Sequence, residues 1–356
     1  MNVLSLFDGM SCGQITLEQE LGIKFDGKNN KYFASEIKPH AIKCTKHNYP
    51  DTIQLGDVRK ISGFELPKID LLIGGSPCQD LSLANKERLG LKGSKSSLFW
   101  EYIRLLRETK PKYFFLENVE MPTEDLITIT EELGVQPVNI NSSLVSAQQR
   151  NRYYWTNIPG DEINLFGEHI IEQPKDRNIK LQDILEFGYT DIEKSKCLKI
   201  KEGASIKNPK SVLHRYLTTG MIDIIFRDNQ QYLRVKEATK IGFVDIGNKE
   251  AVDLSYIKSK TRRGRKMDDK CNCLMRNNEY FVFENGDIRF FTQKELERLQ
   301  TVPEGYTSCL PYKQAWDLLG DGWTIEVIRY IFKGLKKDRE LMNEIQTNIF
   351  DLIGSD

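Results

Sequence analysis

Short apolar runs alternate with amphipathic stretches through the first 120 residues, and this rhythm limits the fold more than any other feature. The runs lie at 3–7, 32–37, 52–58, 70–75 and 112–119. Between them, 14–21, 39–47 and 98–109 carry apolar residues at helical spacing; in the last, Leu98, Tyr102, Leu105 and Leu106 share a face. Runs apolar on both faces and separated by helices predict a mostly parallel sheet covered on both sides, an α/β fold of Rossmann-like type. In such a sheet ligands bind beyond the carboxyl ends of the strands. Those ends are where the chemically useful residues fall: Asp8 and Gly9 after the first run, Glu36 at the end of the second, Asp57 in the third, Cys78 after the fourth, and Glu117 and Asn118 in the fifth.

The first turn, FDGMSCG, lets backbone approach a ligand closely. It lacks GxGxxG spacing, which favours a nucleoside cofactor without a pyrophosphate and argues against a dinucleotide oxidoreductase. Glu36 is suited to both ribose hydroxyls, and Asp57 to an adenine amino group. Either acid alone would read as a strand end or a helix cap; together, at successive strand ends, they read as a site. In Ser76-Pro77-Cys78-Gln79 a thiol sits just past an apolar strand, with proline fixing the turn. An exposed loop thiol suits nucleophilic attack once deprotonated.

From about 161 the segments become shorter and more polar, and basic residues cluster at 258–266 (KSKTRRGRK). Helical pattern returns at 292–300, where Thr292 and Glu295 form a candidate capping box, and at 324–335; the last twenty residues form a charged helix with an apolar stripe. Three regions follow: 1–160, a small irregular domain at 161–285, and a closing helical part at 286–356. Lys+Arg and Asp+Glu are equal at 51 each, so a polyanionic partner must be met by local clusters. The seven cysteines include no CxxC pair, which excludes a zinc ribbon or disulfide framework; reduced thiols, no resident metal and no membrane span are expected. A basic leader followed by a long apolar stretch is absent at the N-terminus, and a cytoplasmic location follows as the expectation.

An ordered series runs along the chain: LSLFDGMSCGQ, ASEI, GDV, GGSPCQDLS, KSSLFWEYIRLL, FFLENV and SAQQRNRYYW, then after a gap FFTQKELERLQTVPEGY and LLGDGWTIEVI. Through this series, which covers nearly the whole chain except the middle, the chain resembles the DNA cytosine-5 methyltransferase family. The resemblance implies catalysis and cofactor binding by 1–160, target recognition by 161–285, and a part at 286–356 that returns to the first. It implies a pocket for S-adenosylmethionine, with S-adenosylhomocysteine as product, lined by Phe7, Asp8, Gly9, Glu36, Ile37, Asp57, Val58, Pro77, Leu98, Asp321 and Trp323. It implies Cys78 as the nucleophile on cytosine C6, Glu117 as the group that holds the base, and Arg150 and Arg152 in support. Double-stranded DNA would be met by Gln79, Ser82, Arg262, Arg263, Arg265 and Lys266, the protein acting as a bacterial or phage-encoded monomer.

The family's closing motif normally has Gly-Asn; here it reads Gly320-Asp321-Gly322-Trp323. An added negative charge is either tolerated or favours a more cationic donor, such as decarboxylated S-adenosylmethionine. Two further rivals are weaker. The tRNA-modifying branch tends to carry Pro-Pro-Cys and a Cys-Phe-Thr segment, both missing here. A catalytically silent DNA-binding homologue would not need the intact Cys78, Glu117, Arg150 and Arg152.

Overall fold

The computed structural model describes residues 1–77, 98–160, 169–184 and 287–353 continuously. Between 161 and 286 it also describes 162–163, 186, 195–196, 213, 216–217, 220–228, 230–248, 250–254, 257, 264–266 and 280–284. The chain divides into two compact units. The first comprises residues 1–141, 151–175 and 323–356, and the second 142–150 and 176–322.

The first unit is built on a seven-stranded sheet. Its strands are β1 (Asn2–Leu6), β2 (Lys31–Ser35), β3 (Ile53–Gln54), β4 (Leu71–Gly74), β5 (Tyr113–Asn118), β6 (Val138–Asn141) and, after the short β7 (Gln148–Gln149) of the second unit, β8 (Asn151–Thr156). The order is β3-β2-β1-β4-β5-β8-β6. The first five strands are parallel, and β8 runs antiparallel to both β5 and β6. A small antiparallel pair, β9 (Glu162–Ile163) with β10 (His169–Ile170), follows.

The chain places β2 and β3 on one side of β1 and β4 and β5 on the other, so the order reverses between β1 and β4. At such a switch point the loops leaving the two strands diverge and open a crevice. Burial follows the apolar runs: Leu4, Leu6, Leu72, Phe99, Tyr102, Leu116, Ile129 and Trp155 share one core.

Helix ends show the expected chemistry. Helix α1 (Cys12–Leu21) stops at Gly22, whose left-handed backbone lets its N–H reach Glu18 O. Helix α2 (Pro39–Asn48) begins with proline, which has no N–H to leave unpaired. Helix α3 (Leu98–Thr109) matches its predicted span, and α4 (Thr123–Leu133) ends at left-handed Gly134.

In the second unit, β7 pairs with β11 (Ser195–Lys196), and a short α5 (Leu181–Ile184) lies between them in sequence. An antiparallel meander of β12 (Ile222–Arg227), β13 (Gln230–Lys236) and β14 (Phe243–Ile246) follows. A second antiparallel sheet has the order β16-β15-β17-β18, from β15 (Ala251–Asp253), β16 (Arg265–Lys266), β17 (Tyr280–Glu284) and β18 (Asp287–Arg289). Leu233, Val235, Ile246, Val252, Phe281 and Phe283 form their common core. The region expected to be irregular thus contains two regular sheets. Period-two alternation is present in QQYLRVK but is masked in IDIIFR, where apolar residues fall on both faces.

The expected boundary at 286 moves to 322. Helices α6 (Gln293–Leu299) and α7 (Tyr312–Asp321) belong to the second unit, where Phe290 stacks on Phe281 and lies against Tyr312. The capping box at Thr292 and Glu295 is present. From Trp323 the chain rejoins the first unit as one continuous helix, α8 (Ile325–Ile353), where two helices were expected; the linking KKDRELM is strongly helix-forming. Helix α8 packs on α1, with Arg329 Nε 3.0 Å from Glu20 Oε2.

Candidate active site

Phe7, Asp8 and Gly9 follow β1 directly. The turn is unusual: Phe7, Gly9 and Ser11 all have positive φ, at 58°, 61° and 59°. Gly9 tolerates this freely; the other two do not. The Gly9 N–H donates to Glu36 Oε2 at 2.8 Å, joining the ends of β1 and β2. Glu36 Oε1 accepts from the N–H groups of Ile37 and Lys38 at 2.7 and 2.8 Å. A carboxylate offers about four lone-pair sites, so these three bonds leave Glu36 capacity for a ribose hydroxyl. Ile37, beside it, is 66% exposed, an apolar surface suited to a purine face. Glu36 and Ile37 therefore fit the nucleoside half of S-adenosylmethionine.

The other expected pocket residues divide. Leu98 packs on the core that contains Val58, which is 4% exposed. Asp57 lies past β3 because Gly56, at φ 76°, turns the chain there; the expected strand through Val58 is cut to Ile53–Gln54. The Asp57 side chain accepts from Arg59 N and takes the Arg59 guanidinium at 2.5–3.1 Å. That hydrogen bonding holds its carboxyl down at about 2. An adenine amino group would have to share Asp57 with Arg59. Asp8 also differs from expectation, because both its oxygens already accept from neighbouring hydroxyls: Ser11 Oγ donates at 2.6 Å and Tyr32 OH at 2.9 Å.

The described chain after β4 ends at Pro77; Cys78, Gln79 and Ser82 lie outside the described residues. What precedes Cys78 is held firmly. The buried Asn118, at the end of β5, donates from Nδ2 to Ser76 Oγ at 3.0 Å and accepts the Val119 N–H at 2.8 Å. The loop after β4 is thereby tied to the end of β5. Gly75 is required by close approach: a Cβ there would lie 3.0 Å from Trp323 Nε1 and 3.1 Å from Glu117 Oε2. Trp323 packs edge-on against Phe115 at 5.3 Å.

Glu117, buried at the end of β5, lies opposite Arg152 on the antiparallel β8. Arg152 Nε is 2.9 Å from Glu117 Oε1, an ion pair in which the N–H does not point at the oxygen. Arg152 Nη1 also donates to Asn151 O at 2.7 Å. Glu117 Oε2 has no hydrogen-bond partner among the described residues and stands near Gly75.

Arg150 and Asp321 belong to the second unit. Buried Arg150 donates from Nη1 to Gly320 O at 3.1 Å, and Asp321 is the exposed last residue of α7. Of the expected DNA contacts, Arg262 and Arg263 lie outside the described residues. Arg265 pairs with Asp253 through its backbone in β16, and Lys266 Nζ sits 2.8 Å from Glu250 Oε1. Tyr32, Ser76 and Arg59 were not foreseen as site residues. For Tyr32 a signal existed: a tyrosine inside a buried strand needs a partner for its hydroxyl.

Five parallel strands in the order β3-β2-β1-β4-β5, followed by β8 antiparallel to both β5 and β6, make an S-adenosylmethionine-dependent methyltransferase fold. A solved structure of the methyltransferase EhMeth of Entamoeba histolytica superimposes with a TM-score of 0.55 at 17% identity, covering 95% of this chain and 98% of that one. Residues 1–337 match the C-5 cytosine-specific DNA methylase family, and the chain belongs to it, making it a DNA cytosine-5 methyltransferase. It is 27% identical to the type II methyltransferase M.NlaIV of Neisseria lactamica and to M.NgoBV of Neisseria gonorrhoeae, in each case over 93% of this chain and 98% of the relative. Among the described residues no helix is long and apolar enough to cross a membrane.

Proposed function

We propose that the protein takes a cytosine out of double-stranded DNA, adds the Cys78 thiolate to its C6 and methylates its C5. The observation that carries this reading is the juxtaposition at the ends of β4 and β5. Glu117, turned by Arg152, leaves one oxygen beside Gly75, three residues before the thiol. A carboxyl group there suits cytosine N3 and the exocyclic amine. A hydrogen bond or proton at N3 draws electron density from the ring, so thiolate addition at C6 becomes easier and C5 becomes nucleophilic. S-adenosylmethionine supplies an electrophilic methyl group to that carbon. Loss of the C5 proton to a base then expels the thiolate and restores the aromatic ring. A stacked duplex offers no room for such attack, so the base must be flipped.

Glu36, Ile37 and the Gly9 turn would hold the cofactor, with Val58, Pro77, Leu98 and Trp323 completing the pocket. Asn118 and Ser76 fix the loop that leads to Cys78. Arg150, tied to Gly320, supports the second unit's contribution, which would be target recognition by a monomer.

Trapping tests the proposal. Duplex DNA carrying 5-fluorocytosine in varied contexts is incubated with S-adenosylmethionine and the protein, beside Cys78→Ser. Fluorine blocks the elimination, so a covalent adduct with the wild type and none with the variant is the expected result. An adduct that survives the substitution, or none in any context, overturns the assignment of Cys78.

A further inference from the structure

Three of the five residues 7–11 are left-handed, and two of them, Phe7 and Ser11, carry side chains that make this costly. Such a turn persists only if its surroundings hold it. One buried carboxyl does much of that work. The Asp8 N–H donates to Ser35 O at 3.0 Å, fixing the turn to β2. Asp8 Oδ2 accepts from Ser11 Oγ at 2.6 Å and Oδ1 from Tyr32 OH at 2.9 Å. Ser11 Oγ lies 3.0 Å from Thr45 Oγ1 on α2. Between the two strained residues, Gly9 N–H reaches Glu36. Asp8 thus shapes the turn that presents Gly9 and Glu36.

We propose that Asp8 is a positioning residue whose ionised carboxylate holds the 7–11 turn in its cofactor-binding shape, and that taking up a proton loosens the turn and weakens cofactor binding. The inference rests on the cofactor reading of this site. An ionised carboxylate only accepts, and the hydroxyls of Ser11 and Tyr32 both donate to it. A protonated carboxyl must donate through one oxygen, so one of these hydroxyls has to reverse and the network that pins Ser11 changes.

The proton is within reach. Burial raises the Asp8 pKa to about 6, against the lowering effect of the three hydroxyls. The groups that face it are Ser5 on β1, Tyr32 on β2, Ser11 at the start of α1 and, through Ser11, Thr45 on α2. Glu36 is the charged group acting on it, and it raises the pKa further. Tyr32 stays protonated, its own pKa pushed well up by burial and by the neighbouring Asp8 carboxylate.

Binding of S-adenosylhomocysteine, followed by calorimetry between pH 5 and 8, tests this without reference to turnover. If only the ionised form binds, wild-type affinity is about fourfold weaker at pH 5.5 than at pH 7.5, and roughly tenfold weaker at pH 5.0. Asp8→Asn should bind weakly with a flat profile. Tyr32→Phe removes one donor to the carboxylate, so the midpoint of the profile should move to higher pH. A merely structural Asp8 would lower affinity by the same factor at every pH. The proposal is overturned if Asp8→Asn keeps the wild-type slope, or if Tyr32→Phe leaves the midpoint in place; the second result decides alone should Asp8→Asn fail to fold. A wild type that binds at no pH overturns the cofactor reading itself, which is a different failure from binding without pH dependence.

Discussion

Glu297 in the second unit and Glu117 in the first are both buried carboxylates, and their surroundings differ in kind. Glu297 accepts from Gly305 N at 2.6 Å, Thr307 N at 2.8 Å and Thr307 Oγ at 2.5 Å, closing the turn after α6. Glu295, also fully buried, accepts from Thr292 N, Glu186 N and the Arg289 guanidinium. These acids meet their acceptor needs within their own neighbourhood. Glu117 meets one oxygen with Arg152 and leaves the other without a partner among the described residues. Native interiors pair nearly all their buried polar groups, so the saturated Glu295 and Glu297 read as scaffolding, whereas the role proposed for Glu117 needs an oxygen left for the base.

Replacing each acid separates the two uses. Glu117→Gln keeps shape and loses the charge that answers Arg152. We expect the single-turnover methylation rate to fall on the order of 10²–10⁴-fold, well beyond the loss of melting temperature that follows from leaving the buried Arg152 without its counter-charge. A small rate effect would place Glu117 with the scaffold. Glu297→Ala should do the reverse. Two backbone N–H groups and a hydroxyl lose their acceptor, a loss on the order of 3 kcal/mol in urea unfolding, while S-adenosylhomocysteine affinity holds.

Asp8 mixes the two roles, and pH exposes it. Its folded pKa of about 6 lies above the ordinary 3.8. Between those values the folded chain holds a proton that the unfolded chain has released. Stability should therefore fall as pH rises through about 4 to 6, by about 3 kcal/mol, and Asp8→Asn should remove that slope. The pH at which cofactor binding improves is then the pH at which the fold carries a buried charge.

Ile37→Ala, at an exposed position, should change stability by less than about 0.5 kcal/mol yet weaken S-adenosylhomocysteine binding roughly fivefold, measured by calorimetry. The smallest effect is expected for Asp321→Asn, exposed at the end of α7: methyl transfer should persist. A large gain would instead tie Asp321 to donor choice.

Much of the first unit was legible. Continuous apolar runs such as DLLIGG and KYFFLENV can only be buried strands, and acids placed after them point to one sheet edge whatever the details. The Thr292 capping box was equally local. What was not legible depends on distant contact. The strand at 52–58 is cut short because Gly56 takes a left-handed turn and Asp57 caps the residues after it. The meander at 222–246 hides its alternation, since Phe226 and Ile225 are both apolar although they lie on opposite faces.

The strand-and-helix rhythm and the family followed from the sequence alone, because period, capping and motif order are properties of neighbouring residues. Which groups hydrogen-bond Asp8, that Asn118 ties down Ser76, that Trp323 closes on Gly75 and that α6 and α7 join the second unit were decided only in three dimensions. Hydrogen bonds and close approaches between residues tens or hundreds of positions apart leave no period in the chain; they exist once the sheet order and the path of each turn have been set.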